Sequence, residues 1–145
     1  MVRAMQTNAP SYERPEQHED IKASSMATVL IIDDEAPIVE LLVDIIEEKG
    51  HTALQASNGV EGLALARERH PDLIISDVMM PLLDGYALLR ALRSEPELAQ
   101  TMVVLVSAAF PRDGKPRSEP PADGYLRKPF DIAAVENLVD HLSKS

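Results

Sequence analysis

Short apolar runs alternate with longer segments of helical periodicity from Thr28 towards the C-terminus. "TVLIID" (28–33), "DLIIS" (72–76) and "MVVLVS" (102–107) are continuous, apolar and largely β-branched, the pattern of strands buried on both faces. "HTALQAS" (51–57) is more polar and belongs at a sheet edge, and "GYLRK" (124–128) reads as a short fifth strand. Helices fill the intervals. Pro37 suits a first helical turn, and Ile38, Leu41, Leu42, Ile45 and Ile46 fall on one face of a 3.6-residue period that Gly50 ends. Asn58 and Glu61 have capping-box spacing at the start of a second helix, which reaches about His70. Asp84 can cap a third, with Leu88, Leu89 and Leu92 facing inward, and Asp84–Gly85 is most simply a turn and cap. Asp131 can cap a last helix bearing Ile132, Val135, Leu138, Val139 and Leu142.

Strands that alternate with helices predict an α/β chain, a parallel sheet wrapped on both faces through right-handed crossovers. One stretch breaks the alternation. "AAFPRDGKPRSEPPAD" (108–123) carries Pro111, Gly114, Pro116, Pro120 and Pro121 where a helix is due. Each interior proline costs a helix about 3 kcal/mol and removes a backbone donor, and no apolar stripe offsets that. No regular helix is expected there beyond a single turn. Residues 1–26 are polar, carry Pro10 and Pro15 and show no sustained period, so they read as a disordered tail before one domain over 27–145.

Composition narrows the picture by exclusion. A length of 145 residues with a hydrophobic fraction of 45% suits one domain with a substantial core. No apolar run approaches the roughly 20 residues needed to cross a bilayer, and the N-terminus lacks the compact apolar stretch of a secretory signal. With no cysteine there is neither a disulfide framework nor a thiolate metal site, which fits a cytoplasmic setting. A formal charge of −10 argues against sequence-independent nucleic-acid binding. His18, His51, His70 and His141 have no metal-ligand spacing and are expected at the surface.

In open α/β sheets, ligands gather outside the carboxyl ends of the strands. The first strand ends in Asp33 and Asp34, the third in Asp77, the fourth in Ser107 and the fifth in Lys128. Neither G-x-G-x-x-G nor G-x-x-x-x-G-K follows the first strand, so a nucleotide cradled on backbone amides is not expected. Three carboxylates instead call for a hard cation such as Mg²⁺.

These motifs carry a family resemblance. "DDE" (33–35), "SDVMMPLLDG" (76–85), Ser107–Ala108 and "KPF" (128–130) stand in the order and spacing of a response-regulator receiver domain, the CheY-like phospho-accepting module of two-component signalling. The resemblance covers about residues 27–143. It implies a doubly wound five-stranded parallel sheet in the flavodoxin-like order 2-1-3-4-5, with helices on both faces. The helix between the fourth and fifth strands would be irregular or missing here. It implies that Asp77 is the phosphate acceptor, and that Asp33, Asp34, Asp77 and the Met79 backbone carbonyl hold Mg²⁺ or Mn²⁺. Lys128 would pair with Asp77 and then with the phosphoryl oxygens, and the Lys128–Pro129 bond would be cis. Ser107 would be the switch, drawn towards the phosphoryl group, and Tyr125 the ring that turns inward in response. The Met79 and Met80 side chains read as adaptable loop apolars.

The expected function is therefore that of a single-domain response regulator. It takes a phosphoryl group from a sensor histidine kinase or a phosphotransfer protein and signals to an unknown protein target. It is not an enzyme beyond self-phosphorylation and autodephosphorylation, it needs no nucleic acid or membrane, and it is a monomer or weak dimer. The chain ends soon after the last helix, so no output module is expected to follow. Three alternatives stand beside this reading: a receiver from a larger hybrid kinase or regulator, a pseudo-receiver binding module, and an aspartyl-nucleophile phosphatase. The phosphatase calls for a D-x-D motif and a cap insertion, and the chain shows adjacent acids and no room for a cap. Each site residue also has a plainer role. Asp33 and Asp34 could serve the helix N-terminus, Ser107 could bond its own backbone, and Tyr125 could be a half-buried edge aromatic.

Overall fold

The computed structural model describes residues 26–111, 116 and 118–143. The expected N-terminal tail lies outside them save Met26, as do His18 and residues 112–115 and 117 of the proline-rich stretch. Five strands form one sheet: β1 (Thr28–Ile32), β2 (Thr52–Ala56), β3 (Leu73–Asp77), β4 (Met102–Ser107) and β5 (Gly124–Arg127). Their order is β2-β1-β3-β4-β5, and every pairing is parallel. Among the described residues four helices cover it: α1 (Ala36–Glu48), α2 (Gly59–Arg69), α3 (Gly85–Ser94) and α4 (Ile132–Ser143). β2 is an edge strand, as its polarity predicts, and β5 stands at the opposite edge.

The sheet is buried on both faces because successive strand side chains point opposite ways. Leu30 and Ile32 of β1 pack with Ile74, Leu88, Leu89 and Leu92 under α2 and α3. Val29 and Ile31 pack with Leu42, Ile46, Val135 and Val139 under α1 and α4. Local caps match their sequence signals. Asn58 Oδ1 accepts from the Glu61 N–H at 2.8 Å, and the Glu61 carboxylate accepts from the Ser57 N–H at 2.8 Å. Asp84 Oδ1 accepts from the Ala87 N–H at 2.8 Å.

Among the described residues no helix forms between β4 and β5. Side chains hold the stretch instead. Asp123 Oδ2 accepts from the Val103 N–H and from Arg93 Nη2, both at 2.8 Å. The Tyr125 hydroxyl accepts from the Ala122 N–H at 3.0 Å and meets Ser118 Oγ at 2.8 Å. One surface expectation is corrected: His51 is buried, and its Nδ1 accepts from the Ala27 N–H at 2.9 Å, tying the start of β1 to the loop before β2. Among the described residues no helix is long and apolar enough to cross a membrane.

Candidate functional site

The carboxyl ends of β1, β3, β4 and β5 meet at one rim. β1 runs straight into Asp33, whose N–H donates to the Ala56 carbonyl at 3.2 Å and so fixes it beside β2. Asp33 Oδ1 accepts from the Glu35 N–H at 2.9 Å, a tight turn that launches α1. Asp77 is the last residue of β3, and the next amide, Val78 N–H, donates to the Val106 carbonyl of β4 at 3.0 Å. The Lys128 N–H donates to the Ser107 carbonyl at 3.0 Å, carrying the lysine beyond β5 to the same end of the sheet.

Lys128 Nζ sits among three carboxylates. It lies 2.7 Å from Glu35 Oε1, 3.0 Å from Asp33 Oδ2 and 3.6 Å from Asp77 Oδ2. Carboxylate oxygens of Asp33, Glu35 and Asp77 all fall within 4.8 Å of one another. Asp33 and Asp77 are buried, and Glu35 reaches into solvent. An open cleft of about 400 Å³ lies over the cluster, lined by Asp34, Glu35, Asp77, Met79, Ser107 and Lys128 among others. Asp77 is thus deep but reachable. Ser107 Oγ accepts from the Ala109 N–H at 3.0 Å, which closes the first turn after β4 over the cleft.

Charge and burial oppose each other here. Burial and then the neighbouring Asp33 charge push the Asp77 carboxyl above its ordinary value, against the pull of Lys128. For Lys128, burial acts to lower the pKa, but its bonds to Glu35 and Asp33 and the nearby charges of Asp33 and Asp77 outweigh it and leave it raised. The ammonium is therefore a permanent cation among three acids.

Of the residues predicted for the site, Asp33, Asp77, Ser107 and Lys128 converge, and Asp34 and Met79 line the same cleft. Asp34 makes no contact with Lys128 among the described bonds; Glu35 does. In the sequence, Glu35 carries no signal beyond being the third consecutive acid. Tyr125 stands apart, its ring edge-on to Phe110 at 5.7 Å and its hydroxyl on the β4–β5 stretch. The Lys128–Pro129 peptide is cis.

Known proteins resemble this chain in sequence and in fold. The chain is 36% identical over 107 residues to Protein PilH of Pseudomonas aeruginosa, covering 73% of this chain and 88% of that protein. It is 37% identical over 108 residues to the DNA-binding dual master transcriptional regulator RpaA of Synechocystis, covering 74% of this chain but only 45% of that longer relative. The chemotaxis response regulator CheY4 of Vibrio cholerae superimposes with a TM-score of 0.74 at 28% identity, covering 81% of this chain and 98% of that one. Residues 29–140 match the response regulator receiver domain family. The buried acids at the ends of β1 and β3 and the lysine beyond β5 thus lie within a chain that belongs to the receiver-domain family of two-component response regulators.

Proposed function

We propose that Asp77 accepts a phosphoryl group from a histidine kinase or a phosphotransfer protein, and that the chain works as a single-domain response regulator. The observation that carries this reading is the Lys128 ammonium 3.6 Å from the Asp77 carboxylate at the floor of an open cleft. Receiver domains are signalling modules rather than classical enzymes, and they interact with histidine kinases and downstream effectors.

A carboxylate is a weak nucleophile, so the step depends on a well-placed donor and on neutralised charge. One Asp77 oxygen bonds to phosphorus as the P–N bond to the donor imidazole breaks. The electron pair leaves on that nitrogen, which takes a proton from water. Lys128 pairs with the phosphoryl oxygens, and the Ser107 hydroxyl, turned away from the Ala109 amide, donates to one of them.

Receiver domains bind Mg²⁺ through acidic residues. The donors present fit such an ion: they are hard carboxylate oxygens, those of Asp33 and Asp77 lie within 4.8 Å of each other, and Asp34 and Met79 line the same cleft. Asp33, Asp34 and Asp77 with the Met79 carbonyl would hold Mg²⁺, or Mn²⁺ in its place. When bound, the ion neutralises charge on the transferring group.

Movement of Ser107 would reach Tyr125 through Phe110, whose ring it touches edge-on. The switched surface is then the β4–β5 stretch that Tyr125 holds, and it is where an unknown protein target would read the signal. This role calls for a cytoplasmic chain, a monomer or weak dimer, with no nucleic-acid contact of its own. A second reading, the receiver of a larger regulator, is favoured by RpaA, of which this chain spans 45%. The longer open reading frame separates the two.

The test is intact mass after incubation with acetyl phosphate and Mg²⁺. One phosphoryl group should add to wild type, and none after Asp77→Asn or with excess EDTA. Unmodified wild type would overturn the reading in favour of a pseudo-receiver.

A further inference from the structure

We propose that Glu35 is a positioning residue that restrains phosphoryl capture, a latch that holds the Lys128 ammonium beside Asp77 rather than on it. The proposal rests on Asp77 being the acceptor. Three observations carry it. The shortest bond of Lys128 Nζ goes to Glu35 at 2.7 Å, whereas Asp77 at 3.6 Å lies beyond hydrogen-bond range. Glu35 is the N-cap of α1, yet its carboxylate makes no capping bond. That residue type is not a favoured cap, and its side chain turns to Lys128 instead. Finally, the Asp33 carboxylate holds the Glu35 amide at 2.9 Å, so the backbone that launches the latch is itself pinned by the site.

The Glu35–Lys128 pair also lines two hollows at once. On one side is the acidic cleft with Asp77 and Ser107. On the other is a groove of about 380 Å³ lined by Ile38, Leu41, Pro129 and Phe130. The pair is asymmetric: the Lys128 side chain is 13% exposed and Glu35 is 58% exposed. An exposed carboxylate holds a cation weakly. A phosphoryl group on Asp77 brings about two negative charges and stronger acceptors, and it displaces Glu35 from the ammonium. Lys128 then swings from latch to phosphate without crossing unpaired space, because Asp33 remains 3.0 Å away.

The test compares the full chain as wild type, Glu35→Gln and Glu40→Gln. Glu40 lines the hollow beside Asp33 and Asp34, so its replacement removes a nearby charge without touching Lys128. With acetyl phosphate at saturating Mg²⁺, Glu35→Gln should be phosphorylated about 2- to 5-fold faster, the scale of one partly exposed ion pair. Glu40→Gln should stay within about 1.5-fold of wild type, because exposed charges act weakly at that range. Without any phosphodonor, the ¹⁵N ammonium signal of Lys128 should shift or broaden in Glu35→Gln and stay in place in Glu40→Gln. An unchanged Lys128 signal in Glu35→Gln overturns the latch, and so does equal acceleration by both variants. Slower phosphorylation with about 10-fold weaker Mg²⁺ binding would make Glu35 a metal ligand instead, and would equally overturn it. Failure of wild type to take up phosphate strikes the acceptor reading alone, since the ammonium signal needs no phosphate.

Discussion

The acid rim and the β4–β5 stretch are held by different forces. Asp33 and Asp77 stand on the ends of central strands whose apolar residues are buried on both faces, so their backbones are fixed by the core itself. The β4–β5 stretch has no helix among its described residues and hangs on a few side-chain bonds, those of Asp123, Tyr125 and Arg127. The carboxylates that line the cleft thus stand on the rigid part. The β4–β5 stretch is tied by individual polar contacts, each worth about 1 kcal/mol. The firmly held acids and the loosely tied stretch thus belong to different parts of the sheet, its central strands and the connection to its β5 edge.

Perturbing the rigid side should have the largest effect. A Cβ on Gly85 would stand 2.7 Å from the Asp77 carbonyl oxygen and 2.9 Å from Val78 Cα, both backbone atoms that cannot turn aside. Gly85→Ala should cost about 3 kcal/mol in urea unfolding, the upper end of overpacking, and should impair phosphoryl uptake because it displaces Asp77. Retained stability with normal uptake would show that the rim is softer than its packing implies.

On the looser side, Asp123→Ala strips the Val103 N–H and Arg93 of their shared acceptor. It should cost about 2 kcal/mol yet leave the rate of Asp77 phosphorylation near wild type. A large fall in that rate would show the two regions to be one unit. Tyr125→Phe is gentler. It keeps the ring against Phe110 and removes only the hydroxyl that holds Ser118 and Ala122. A loss of about 1 kcal/mol and faster amide exchange confined to 118–122 are expected, with Mg²⁺ binding unchanged.

The smallest effect concerns pH. Because the folded chain raises the Asp77 carboxyl above its ordinary 3.8, the contribution of this group favours folding below that value and is lost as pH rises through the folded value. Asp77→Asn, which cannot ionise, should therefore unfold at a higher temperature than wild type at neutral pH. The gap should close as pH falls towards 3.8. A constant gap across that window would mean that packing, not charge, separates the two proteins.

Much of this was legible before any coordinates. Apolar runs alternating with helical periods predict the strands, and the last residue of each run points to the rim, so Asp33, Asp77, Ser107 and Lys128 could be named from position alone. The prolines of 108–123 likewise predict that no helix forms among the described residues between β4 and β5, because proline acts on local backbone geometry. Glu35 was less legible. Which two of the three consecutive acids face Lys128 depends on where β1 stops and how the Asp33 turn launches α1. The burial of His51 is hidden for a similar reason: the Ala27 amide that its ring accepts from lies on the approach to another strand.

The order of apolar and polar residues determined the layers, the strand ends and the acids gathered there, since these follow from side-chain periodicity and backbone propensity along the chain. Tertiary structure alone decided which carboxylates hold Lys128, how deep Asp77 lies and what tethers the tyrosine hydroxyl. Those are distances between segments far apart in the chain, and local pattern carries no information about them.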